Sequence, residues 1–187
     1  RLEVQPIRLL HDPAKQFGMF YSDKRSWISP ANMARDNELI LQRVQAECRD
    51  MREHGMNTIQ LQGLNLKTVE KGKKYELVFD RLAENIEFYR SAGLLQDSPT
   101  MLGFYFVDAV YADIMGFRMA KHLKDLKEPP DAFYEIVTDL VRQCEAERVK
   151  RGWPVFLYYP IDEAAPEAVP FLRKVLGAVK RVPGAKT

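Results

Sequence analysis

Four times along this chain, a short apolar run of strand length gives way to a longer stretch whose apolar residues recur at helical spacing. No other feature restricts the fold as strongly. Strands that alternate with helices pair in parallel through right-handed crossovers, with the helices laid over the sheet. The strand runs lie at 17–21, 58–62, 101–107 and 155–159. The last of them, Val155-Phe156-Leu157-Tyr158-Tyr159, is unbroken in its apolar character, the pattern of a strand buried on both faces. The fold class is α/β.

The helical stretches are equally clear. Ile40, Val44, Cys48 and Met51 define a buried stripe over 37–54, which Gly55 closes by taking a left-handed conformation without steric cost. Phe79, Leu82, Ile86 and Tyr89 mark a second helix ending at Gly93. Phe133, Val137, Leu140, Val141 and Cys144 mark a third, opened by Pro130-Asp131 and stopped by Gly152. Pro166, at a favoured first helical position, starts a fourth that runs through Val169, Leu172, Val175 and Val179. Residues 63–78 read as a polar loop around Lys71-Gly72-Lys73-Lys74, and 109–129 as a long connection with a short helix near 115–126. Residues 1–15 form a lead-in, separate from the strand-helix series over 16–187.

Two closures suit four parallel strand-helix units: an open doubly wound sheet, or part of a (β/α)₈ (TIM) barrel. A complete barrel takes roughly 250 residues and eight strands, against the 187 residues here. A partial TIM barrel is the expectation. It would leave sheet edges and apolar helix flanks uncovered, which favours a homodimer or association with the missing half of the barrel. The chain starts with Arg1, as a processed or excised piece would, so the lack of a visible leader says nothing of compartment.

Several function classes lose ground on composition. A formal net charge of +2, spread along the chain, gives no basic face for nucleic acid. No apolar run is long enough to span a membrane. Cys48 and Cys144 fall on apolar stripes and read as buried packing residues, not as a disulfide framework. His11, His54 and His122 have no ligand spacing, so neither a metal site nor a cofactor is expected. No glycine-rich phosphate loop follows any strand, which disfavours nucleotide binding.

Chemistry in α/β folds gathers where strands end and loops begin. The 155–159 run ends on two adjacent carboxylates, Asp162 and Glu163, just before the helix at Pro166. Such acids can simply cap a helix N-terminus. They can also act as a catalytic pair, provided the backbone leaves strand geometry, because neighbouring residues of a regular strand point to opposite faces. Tyr158 and Tyr159 alternate in the same way, one toward the barrel and one toward a helix. Tyr21, Gln62, Tyr105 and Asp108 lie at other strand ends and could line the same mouth as ligand-binding residues.

Met51-Arg52-Glu53-His54-Gly55-Met56-Asn57-Thr58 resembles the helix-to-strand junction of glycoside-hydrolase barrels, and Phe79-Asp80-Arg81-Leu82 with Ala92-Gly93-Leu94 is similar to their next unit. The stretch from Tyr159 to Pro166 resembles the Asp-Glu strand end of retaining hexosaminidases, particularly the β-N-acetylgalactosaminidase family, although Ala164 stands where many relatives have proline. The lead-in is similar to the segment by which those proteins leave an N-terminal β-sandwich. The resemblance implies substrate-assisted hydrolysis of N-acetylhexosaminides. Asp162 would orient the 2-acetamido group, and Glu163, with a raised pKa, would be the general acid/base. Tyr159 joins the substrate-binding candidates. The alternative is a non-catalytic barrel fragment that binds a glycan or a protein.

Overall fold

A computed structural model describes residues 18–19, 34–95, 99–119, 126–162 and 164–187. In chain order the elements are β1 (Gly18–Met19), α1 (Ala34–Glu53), β2 (Thr58–Ile59), β3 (Asn65–Glu70), β4 (Lys74–Val78), α2 (Asp80–Ser91), β5 (Thr100–Gly103), α3 (Val107–Met115), α4 (Asp131–Arg151), β6 (Phe156–Tyr159) and α5 (Val169–Lys180), the last entered through a 3-10 turn over Pro166–Ala168. The lead-in at 1–15 and the candidate residues Tyr21 and Glu163 lie outside the described residues.

The strands β1 and β2 pair in parallel, as do β5 and β6. A parallel bridge between Leu61 and Leu102 joins the two pairs, and another connects Leu157 to Lys186. Each strand of this set therefore adds beside the one before it, with helix in between. A doubly wound sheet reverses its strand order at a switch point; no reversal occurs among the described strands.

Register decides which residues face which way. Met101 pairs with Leu157, Leu102 with Tyr158 and Gly103 with Tyr159. One face of the sheet carries Ile59, Leu61, Thr100, Leu102, Phe156 and Tyr158, all buried. The helices supply the matching stripes: Val44 and Cys48 on α1, Leu82, Ile86 and Tyr89 on α2, Val137, Val141 and Cys144 on α4, Val175 and Val179 on α5. Each fully buried large aliphatic or aromatic side chain contributes roughly 1.5–3 kcal/mol relative to exposure, so this contact dominates the stability of the fold. On the other face Met101, Leu157 and Tyr159 remain only partly buried.

A polar network pins β6 to α4 within this core. The Tyr158 hydroxyl donates to Glu145 Oε1 at 2.9 Å, and Arg148 closes on Glu145 Oε2 at the same distance. Burial, followed by the neighbouring Cys144 and Glu145, drives the Tyr158 phenol far above its ordinary pKa and keeps it a donor. Of the two adjacent tyrosines, Tyr158 thus faces the helix layer, and Tyr159 faces the other way.

Two local expectations need correction. Residues 63–78 are not simply a loop: β3 and β4 form an antiparallel hairpin with a bulge between Thr68 and Glu70. Its signal is the alternation of Tyr75 and Leu77, both buried, with exposed Lys74 and Glu76. The Gln143 side chain on α4 then satisfies the outer edge of β4, accepting from the Leu77 amide and donating to the Tyr75 carbonyl. The strand expected at 101–107 stops at Gly103 and a helix, α3, follows over Val107–Met115, while the short helix expected near 115–126 lies largely outside the described residues. A short apolar run such as Phe104-Tyr105-Phe106-Val107 has no periodicity that separates strand from helix. Gly55 does close α1 as expected, at φ +88, with the Met56 amide reaching back to the Met51 carbonyl.

Replacing Tyr158 by Phe should cost about 2 kcal/mol, because a hydrogen bond to a buried charged group is lost. Urea unfolding would show a lower midpoint at unchanged slope; an unmoved midpoint would mean that the network is not holding β6. Burial, ahead of any hydrogen bond, also pushes the Cys144 thiol up to about 12 from 9.0. Between those values the unfolded chain releases a proton that the folded chain keeps, so stability should fall as pH rises above about 9. Below that pH, Cys144 should react with an aromatic disulfide only after unfolding, and rapid reaction in the native state would contradict its burial.

Candidate active site

The site is built where β2, β5 and β6 run out of sheet. After Tyr159, Pro160 cannot donate a ladder hydrogen bond, and the chain turns outward through Ile161 to Asp162, which is exposed. Asp162 is held there by its own strand: the Tyr159 hydroxyl donates to Asp162 Oδ1 at 2.6 Å. The helix-capping role open to Asp162 is not the one it takes. Ala165 precedes the 3-10 turn and Ala168 precedes α5, each without a side-chain cap.

Tyr105, two residues past the end of β5, is exposed. Its ring stands edge-on to that of Tyr159, with centroids 6.2 Å apart and planes at 87°. Its hydroxyl oxygen accepts from Gln60 Nε2 at 2.6 Å. A connected set therefore crosses three neighbouring strand ends: Gln60 just past β2, Tyr105 past β5, then Tyr159 and Asp162 at the end of β6.

The sequence candidates divide accordingly. Tyr105, Tyr159 and Asp162 are brought together. Gln62 is not; its side chain is exposed, while its carbonyl accepts from the buried Asn85 side chain at 2.9 Å. Asp108 lies in the first turn of α3 and serves that helix's exit loop, accepting from the Met119 amide at 2.9 Å and pairing with Arg118 at 3.4 Å. The residue missed was Gln60. It shares one strand face with Thr58 and Gln62, so the sequence alone does not single it out; the structure shows it buried, and a buried amide needs a partner.

The arrangement offers two kinds of recognition. An exposed phenol ring beside a second aromatic presents an apolar surface with polar tips, which suits a ligand with one C–H face and peripheral hydroxyls. A carboxylate has about four lone-pair positions, and Tyr159 occupies one of those on Asp162. Capacity remains for an incoming N–H donor.

Because Asp162 is exposed and Tyr159 is partly so, their bond adds little to the fold. Tyr159→Phe and Asp162→Asn should each unfold within about 1 kcal/mol of the wild type. A larger loss in chemical denaturation would assign the pair to holding the strand exit instead of to a ligand.

No protein-family profile, curated protein or solved structure matches this chain.

Proposed function

We propose that the chain is part of a (β/α) barrel of the glycoside-hydrolase kind, and that it hydrolyses N-acetylhexosaminides with retention, assisted by the substrate's own 2-acetamido group. The barrel reading is supported by the sequential parallel strand order and by the burial of one sheet face under helices among the described residues. The half-buried Met101 and Leu157 on the opposite face support closure by further strands or by a second copy.

In this mechanism Glu163 donates a proton to the glycosidic oxygen while the acetamido oxygen attacks the anomeric carbon. The C–O bond to the leaving group breaks, and a bicyclic oxazolinium forms. Asp162 accepts the acetamido N–H and stabilises the positive charge that develops there. Glu163 then takes a proton from water, which opens the bicycle with the original anomeric configuration restored. The enzyme supplies no nucleophile, and the reaction calls for no metal or cofactor.

One observation carries the reading: Asp162 stands exposed past the end of β6, held by the hydroxyl of Tyr159, whose ring in turn meets that of Tyr105 edge-on. That is a carboxylate ready for an amide donor next to a surface ready for a sugar ring.

Release of 4-nitrophenol should occur from the β-N-acetylgalactosaminide or β-N-acetylglucosaminide and not from the plain β-galactoside, which lacks the assisting group. Glu163→Gln should lower kcat/KM by about 10²-fold or more. Equal turnover of the plain galactoside would end the acetamido mechanism, and undiminished activity in Glu163→Gln would remove the assigned acid.

A further inference from the structure

We propose that Gln60 and Gly103 are positioning residues whose role is to seat the ring of Tyr105 as the saccharide platform of the mouth; this rests on the carbohydrate reading above. Three independent restraints converge on one side chain that the core does not need. Tyr105 is 42% exposed, so its ring is not placed by burial. Gln60 is only 4% exposed, yet its amide is aimed at the Tyr105 hydroxyl, 2.6 Å away. Burying an amide is unfavourable unless it is hydrogen-bonded, and here the partner is an exposed phenol and not the backbone.

Gly103 supplies the second restraint. A Cβ at this position would stand 2.6 Å from Cε2 of Tyr105 and 3.2 Å from Cδ2. The ring therefore lies directly over the glycine, using space that any other residue would fill. The backbone there is ordinary strand and takes no left-handed φ. The glycine is needed for the ring and not for its own conformation. The edge contact with Tyr159 is the third restraint.

A side chain held in its binding position before the ligand arrives gives up less freedom on binding, which raises affinity without any new contact. Gln60 and Gly103 touch no ligand themselves in this account. They act through Tyr105.

The test measures dissociation constants for N-acetylgalactosamine and N-acetylglucosamine by NMR titration, with thermal unfolding confirming that each variant folds. Gly103→Ala and Gln60→Leu should each weaken binding about five-fold. In a Tyr105→Ala background, adding Gly103→Ala should change affinity less than two-fold, because the ring it displaces is already gone. Binding unchanged in both single variants, with the wild type still binding, would overturn the seat and leave the carbohydrate reading intact. Full additivity in the Tyr105→Ala background would assign Gly103 to the backbone and also overturn it. A wild-type protein that binds neither sugar would overturn the saccharide role itself.

Discussion

Burial of one face of a parallel sheet under its own crossover helices is the constraint from which the rest follows. Ile59, Leu61, Leu102, Phe156 and Tyr158 lock that face against the helical stripes. Side chains alternate along a strand, so fixing one face fixes the other. A slip of one residue would turn the whole apolar set outward and could not be tolerated. Gln60, Gly103 and Tyr159 are on the second face for that reason alone, and the strand ends carry Tyr105 and Asp162 out to the rim.

The polar network between β6 and α4 refines this. An apolar contact tolerates small slides, whereas the bond from Tyr158 to Glu145, itself held by Arg148, has one geometry. Its position one residue before Tyr159 matters: the helix-facing tyrosine sets the register, and the tyrosine on the opposite face holds Asp162. Two identical residue types side by side thus divide into one that packs against the helices and one that, in the proposed site, holds the carboxylate, decided only by which face each occupies.

Much of the architecture was legible in the chain. The helical stripes through Val44 and Cys48, Leu82 and Ile86, or Val137 and Val141 are long, and periodicity over several turns is hard to mistake. The α/β class and the parallel pairing followed from their alternation with strands. The hairpin at β3–β4 was hidden because its lysine-rich turn and exposed β3 look like any polar loop, and only Tyr75 and Leu77 alternate. At the site, Tyr105, Tyr159 and Asp162 could be found because strand ends are where α/β folds expose side chains. Gln60 could not be separated from Gln62 without register, since both lie on the same face and only the structure shows which one is buried against a partner.

The central claim is that the rim built from Gln60, Tyr105, Tyr159 and Asp162 is where a sugar lies. Backbone amide NMR during titration with N-acetylgalactosamine tests it most directly. The account expects shifts concentrated at residues 60–62, 103–105 and 159–162, with the β3–β4 hairpin and α5 unmoved. Shifts confined to other surfaces, or absent at saturating sugar, would contradict it.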